Sequence, residues 1–264
     1  MKKITIVTAF IDIGRDNWEG VVNGEQIPHF IKRGVGEYFK SFKRLAGLKN
    51  DIIIFTEEKY FEKIKSIRED IICINISKIW DINIDYLMKI REVQRNISYI
   101  NFVNSPALPE YWSAEYVYVN FLKSFFCDYV YKNNLNLNRD IAWIDFGYVR
   151  ENTYCPQGKF WKFDTKDKIN LFALGDLSDN WPIFDIIKNN TVYVQGCHII
   201  APGNLWTVLV DYMKDSINVL FKVGLVDDDQ TLLLMSYRKY PEIFNINSGD
   251  HNDWFSAFKT IKKQ

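Results

Sequence analysis

Ile4-Thr5-Ile6-Val7-Thr8-Ala9-Phe10 opens the chain as an unbroken β-branched and apolar run, closed by the polar turn Asp12-Ile13-Gly14-Arg15-Asp16. A short continuous run bounded by turn residues reads as a strand buried on both faces. Residues 35–48 then place Tyr38, Phe39, Phe42 and Leu45 at helical spacing, with Gly47 near the stop. Asp51-Ile52-Ile53-Ile54-Phe55-Thr56 is a second buried strand. Residues 57–70 follow as an amphipathic helix with Phe61, Ile64 and Ile67 on one face, and 71–76 as a third strand. The order β-α-β-α-β predicts an α/β fold, a mainly parallel sheet flanked by helices with the first strand inside it. Its first half has the pattern of a nucleotide-binding unit.

Beyond residue 76 the pattern is less regular. Residues 80–100 read as helical, and Ser105-Pro106-Ala107-Leu108-Pro109 as a break. Ser113 is a plausible N-cap for one long helix reaching Lys132, on which Asn120 and Lys123 share a face. Residues 140–146 form another buried strand. Residues 154–190 mix Pro, Gly, Asp and Trp and read as an excursion outside the main sheet. A strand at 191–194, a helix at 203–221 and a last helix at 231–237 complete the pattern. No repeat or flexible linker appears, so the expectation is one domain over residues 1–264.

Composition narrows the function classes. Of 264 residues, 47% are apolar and 25% charged, which excludes a disordered chain. Thirty-three basic residues balance thirty-three acidic ones, which gives no support for a nucleic-acid binder working by phosphate neutralisation. The aromatic content of 16% is high; such side chains fill cores, and they also stack on bases and sugar faces. Cys73, Cys127, Cys155 and Cys197 lie far apart, a spacing that suits reduced thiols in a cytoplasmic protein better than zinc or disulfides. Asp12 and Arg15 cut the N-terminal apolar run too early for a signal peptide, and no stretch approaches the ~20 apolar residues of a membrane span.

Three groups of residues carry chemical interest. In Ile141-Ala142-Trp143-Ile144-Asp145-Phe146-Gly147 an acid stands at the end of a buried strand, where ligands bind in open α/β sheets. Asp145 there can accept a ribose hydroxyl or hold a divalent cation bridging phosphates; a local turn bond is the plainer alternative. The Asp-Phe-Gly triplet is not a kinase signature, because the glycine-rich and His-Arg-Asp loops are missing. Asp227-Asp228-Asp229-Gln230 precedes an apolar helix. Capping explains one or two of these acids; a further one can serve as a general base, with the amide beside it holding a hydroxyl. Lys123 can hold a diphosphate as a point charge, although a lone helical lysine is usually solvated. His251 is a candidate metal ligand, although a single histidine in a polar tail is usually just exposed.

The segments Ile6-Val7-Thr8-Ala9-Phe10-Ile11-Asp12-Ile13-Gly14-Arg15, Tyr111-Trp112-Ser113-Ala114-Glu115-Tyr116 with Asn120 and Lys123, and Trp143-Ile144-Asp145-Phe146-Gly147-Tyr148 resemble the bacterial HtrL/YibB family. Asp228-Asp229-Gln230 and Asp253-Trp254 follow in the same order, so the resemblance covers nearly the whole chain. It implies a glycosyltransferase-like protein, similar to nucleotide-sugar transferases of the Rossmann-related GT-A fold. On that similarity Thr8, Ala9, Phe10 and Arg15 line the base and phosphate end of a UDP-sugar site. Asn120, Lys123, Asp145 and Gly147 complete that site, and Asp229, Asp228 and Gln230 are catalytic. A Mn²⁺ or Mg²⁺ ion is implied on Asp145 and His251, but Gly147 replaces the second acid of the family's D-x-D metal motif. The acceptor implied is an oligosaccharide or lipid-linked glycan of lipopolysaccharide, O-antigen or capsule. The setting implied is the cytoplasm or the cytoplasmic face of the inner membrane. A nucleotidyl- or phosphotransferase, and a non-catalytic carbohydrate-binding protein, are the alternative readings.

Overall fold

Strand β1 (Lys2–Phe10) runs through the middle of the sheet, as its two-sided apolar composition requires. The computed structural model describes residues 2–177, 180–248 and 254–258. A small hairpin, β2 (Val21–Val22) and β3 (Glu25–Gln26), stands apart from the main sheet. Helix α1 (Val35–Leu45) starts where the Glu37 carboxylate accepts the Gly34 backbone N–H, and carries Lys43 and Arg44 in its last turn, both favourable to the helix dipole. Strand β4 (Ile52–Thr56) pairs parallel with β1, helix α2 (Phe61–Ile67) crosses back, and β5 (Ile72–Asn75) pairs parallel with β4. The expected β-α-β-α-β opening is present, with each helix somewhat shorter than its periodic segment.

The middle of the chain is a helical layer: α3 (Ser77–Trp80), α4 (Ile84–Gln94), α5 (Ile97–Phe102) and α6 (Pro109–Trp112). The helix expected from Ser113 to Lys132 is two. Ser113 caps α7 (Ala114–Phe121) by accepting the Tyr116 N–H, and after a break at Leu122 the chain resumes as α8 (Lys123–Lys132). Strand β6 (Asp140–Ile144) pairs parallel with β1 on the side away from β4.

Two expectations fail beyond β6. Residues 154–190 do not lie outside the sheet: β7 (Lys162–Phe163) pairs with β1, and β8 (Ile169–Ala173), fully buried, enters the main sheet. Helix α9 (Ile183–Asn189) comes after it. The strand expected at 191–194 reduces to a single bridge, Ala173 to Val194, and the true strand is β9 (His198–Pro202). The Pro, Gly and Trp residues that suggested an excursion sit in the connections flanking β8. Helix α10 (Gly203–Lys222) and α11 (Asp229–Lys239) precede β10 (Phe244–Ser248).

The sheet order is β10-β8-β9-β6-β1-β4-β5, with β7 pairing β1. Strand β9 is antiparallel to both neighbours, and β10 returns parallel to β8. The sheet is therefore mixed and mostly parallel, flanked by helices. Strand alternation sends successive residues to opposite faces. Val7, Ile53, Phe55, Ile141 and Trp143 share one core with α8, α10 and α11. Ile4, Ile6, Ile52, Ile54 and Ile144 meet Phe39, Phe42 and Leu45 of α1 in the other. Many of the aromatics belong to these cores, including the fully buried Trp143, Trp161 and Trp206.

Candidate functional site

The carboxyl ends of β1 and β6 and the starts of α8 and α11 meet around a cavity of about 580 Å³. Lys123 opens α8 and is 4% exposed. Its Nζ lies 3.2 Å from Asp145 Oδ1 and 2.9 Å from Asp229 Oδ2, and donates to the Gly196 carbonyl at 3.0 Å. An ammonium has three N–H donors. The Gly196 carbonyl accepts one, and the two carboxylates stand within ion-pair distance. Burial alone would lower the Lys123 pKa, but the charges of Asp145 and Asp229 overcome it and hold the pKa above its ordinary value. The lysine is an internal counter-ion and not the solvated side chain its isolation in the sequence suggests.

Asp145 follows the last residue of β6, and its N–H donates to the Cys197 carbonyl. Trp143 Nε1 donates to Asp145 Oδ1 at 2.7 Å, so both side-chain contacts of this carboxylate fall on one oxygen. Its side chain is 36% exposed. Gly147 lies two residues on, against Tyr38: a Cβ there would sit 3.0 Å from two ring carbons. The ring fills the space in which the second acid of a D-x-D motif would begin.

The three acids before α11 have three distinct environments. Asp227 is buried and closes on its own turn, accepting the Asp228 N–H at 2.9 Å and the Thr231 hydroxyl at 2.7 Å; burial raises its pKa to about 6. Asp228 is the N-cap, with Oδ1 accepting the Gln230 N–H at 3.0 Å. Burial, then the charges of Asp229 and Asp227, hold its carboxyl well above the ordinary range. Asp229 pairs with Lys123, and burial still holds its pKa above the ordinary value. A Cβ on Gly196 would fall inside the Asp229 carboxylate, so only glycine fits the loop that crosses it.

Ala9, Phe10, Arg15, Asn120, Lys123, Asp145 and Gly147 line this one cavity with Asp228, Asp229 and Gln230. Thr8 does not. It is fully buried between β4 and β6, because the interior of a central strand has no free surface. Arg15 is fixed by its neighbours: Nε and a terminal nitrogen donate to the Ile31 carbonyl at 3.1 and 2.6 Å, and the other donates to the Tyr38 hydroxyl at 2.7 Å. His251 lies outside the described residues.

Several wall residues gave no signal in the sequence. Glu110, beside the Pro109 that reads only as a break, has a carboxyl whose pKa burial raises to about 7; its Oε2 has no hydrogen-bond partner. Gly196, Arg33 and Arg150 also line the cavity. A helix-breaking proline announces a turn but says nothing of what faces the turn.

A divalent cation needs several hard oxygen donors. Among the described residues no three His, Cys, Asp or Glu side chains gather to hold a metal ion. Asp145 already has an ammonium beside it, and Gly147 offers no oxygen from a side chain. Among the described residues the donor set does not fit such an ion; His251, the other ligand expected, lies outside them. No helix among the described residues is long and apolar enough to cross a membrane.

The family described as "Bacterial protein of unknown function (HtrL_YibB)" matches residues 2–263. Protein HtrL of Escherichia coli (strain K12) is 32% identical over 269 residues, covering 98% of this chain and 92% of that one. Two solved structures are similar in shape. Mouse xyloside xylosyltransferase 1 in its apo form has a TM-score of 0.46 and 10% identity, over 97% of this chain and 93% of that one. The glycosyltransferase GlyE of Streptococcus pneumoniae TIGR4 has a TM-score of 0.44 and 12% identity, over all of this chain and 50% of that one.

Proposed function

The chain belongs to the HtrL/YibB family, and we propose that it is a glycosyltransferase of GT-A type, moving a sugar from a nucleoside diphosphate donor to a glycan hydroxyl. The observation that carries this reading is the convergence of Asp145, Lys123 and Asp229 on one cavity beyond the sheet's carboxyl edge. These residues come from three segments far apart in sequence. A packed core does not need a buried lysine shared by two acids, and burying one is costly.

In this reading the acceptor oxygen bonds to the anomeric carbon as the bond to the diphosphate breaks. The bonding pair leaves with the nucleoside diphosphate, and the acceptor proton passes to the Asp228–Asp229 pair. Elevated carboxyl pKa values suit proton acceptance near neutral pH better than ordinary ones. Asp145 presents its free oxygen to the ribose or the donor sugar, with Asn120 and Gln230 beside it. Lys123 stands between Asp145 and Asp229 and holds them in register. A UDP-linked donor, a surface glycan such as lipopolysaccharide, O-antigen or capsule as acceptor, and a cytoplasmic setting belong to the same proposal.

The test is a thermal-shift panel of nucleotides and sugar nucleotides, with and without Mn²⁺. A ligand at a hundred times its dissociation constant adds roughly 2.7 kcal/mol of stability, a shift that is easily detected. Stabilisation by sugar nucleotides supports the transferase. Stabilisation by free glycans alone, with none from nucleotides, would leave a carbohydrate-binding protein.

A further inference from the structure

A diphosphate in this cavity needs positive charge, and the described residues offer it neither a divalent-cation site nor a free lysine. Lys123 is already held by the carboxylates of Asp145 and Asp229 and by the Gly196 carbonyl. Three arginines remain on the same cavity wall: Arg15, Arg33 and Arg150. They come from separate places, namely the loop after β1, the segment leading into α1, and the loop after β6.

The first two are tied together through the backbone, with the Arg33 N–H donating to the Arg15 carbonyl at 3.2 Å. The Arg15 guanidinium is held by Ile31 and Tyr38 and lies 5.0 Å from the ring centroid of Trp18 and 5.6 Å from that of Tyr116. The Arg150 guanidinium lies 5.4 Å from the ring centroid of Phe255. None of the three forms an ion pair with a carboxylate among the described residues. Glu110 is the acid nearest in effect, since the charge of Arg15 lowers its otherwise raised pKa. Partial burial, then the like charges of Arg33 and Arg15, hold Arg150 below its ordinary value. Like charges gathered on one wall repel one another, and a dianion between them removes that cost. Guanidinium groups meet phosphate oxygens in pairs, which fixes orientation as well as charge.

We propose that Arg15, Arg33 and Arg150 form the anion subsite of this cavity and take the donor's diphosphate in place of a divalent cation. The assignment to a donor rests on the glycosyltransferase reading; the anion subsite itself does not. The same chemistry would accept a free phosphate or pyrophosphate, so the probes separate these sources.

The experiment is titration calorimetry in excess EDTA with inorganic pyrophosphate, UDP and uridine. Its proteins are the wild type, Arg33→Ala/Arg150→Ala, and Lys40→Ala as an exposed charge control outside the cavity. Melting temperatures confirm that each variant is folded. Pyrophosphate and UDP should bind the wild type and Lys40→Ala without metal. Each lost arginine should weaken both by about ten- to hundredfold, the range of a charged hydrogen bond. The affinity for uridine should not move. The subsite is overturned if the folded double variant binds pyrophosphate like the wild type, or if wild-type binding requires Mn²⁺. If UDP binds the double variant at wild-type strength, the subsite fails while the donor reading stands. If pyrophosphate obeys the prediction but no nucleoside diphosphate binds more tightly, the donor reading fails and the subsite stands. Wild-type protein that binds neither anion overturns both.

Discussion

Lys123→Met removes the ammonium held between Asp145 and Asp229 and leaves a side chain of similar length. Removing one partner of a buried ion pair costs about 3–5 kcal/mol, because the other charge is left uncompensated. Asp145 is 36% exposed and recovers solvation, so most of the cost falls on Asp229, which is 2% exposed. That cost has a ceiling. The orphaned carboxylate can always take up a proton, and from an ordinary pKa of 3.8 this costs about 4 kcal/mol at pH 7 at 1.36 kcal/mol per unit. A loss of about 3–4 kcal/mol should lower the melting temperature by roughly 6–16 °C in a chain of this size. The assay is thermal unfolding followed by circular dichroism between pH 7.5 and 4. The deficit should shrink toward pH 4, as protonation of Asp229 becomes free. Lys123→Met/Asp229→Asn should recover about half of it, since the amide carries no orphan charge. A single variant melting within about 2 °C of the wild type at pH 7.5 would refute the counter-ion role, as would a deficit that does not change with pH.

Gly196→Ala places a methyl group inside the Asp229 carboxylate, so the loop or the acid must move; overpacking of this kind costs about 1–3 kcal/mol, read as a lower melting temperature. Glu110 gives a pH signature. Its pKa is raised to about 7 from 4.5, first by burial, so the native state binds that proton more tightly and stability falls as pH rises through this window. Glu110→Gln removes the penalty and should melt above the wild type at pH 8, the two converging near pH 4.5; melting curves at the two pH values check it. His198 has the opposite sign. Burial lowers its pKa to about 3 from 6.5, so its contribution is complete above pH 6.5 and is lost as pH falls. His198→Phe should therefore flatten the acid limb of the stability profile below pH 6.5, measured by denaturant titration.

The first half of the fold was legible because β1, β4 and the helices between them follow their periodicities closely. The second half was not, because β8 is only five residues long and sits between irregular connections, and because β9 is an antiparallel insertion that the parallel pattern does not announce. Isolated apolar runs of this length do not declare their partners. At the site, Asp145 was legible from its place at a strand end and Asp229 from the crowding of three acids. The ion pair joining them was not, since nothing in the spacing of Lys123 foretells burial. The arginines were hidden for a similar reason: Arg33 and Arg150 look ordinary in their own segments and acquire meaning only when two loops meet.

The central claim is that Asp229 does chemistry on a sugar nucleotide, and turnover by the wild type and Asp229→Asn tests it most directly. The Asp228 cap is untouched and an amide of the same shape still faces Lys123, so the variant should fold and bind the donor within about threefold of the wild type. It cannot take the acceptor's proton, and loss of a general base costs about 10²–10⁴-fold in rate. The account predicts release of nucleoside diphosphate by the wild type and a fall of that size in kcat for the folded variant. Equal turnover by the two proteins, or a wild type that neither binds nor cleaves any sugar nucleotide, would contradict it.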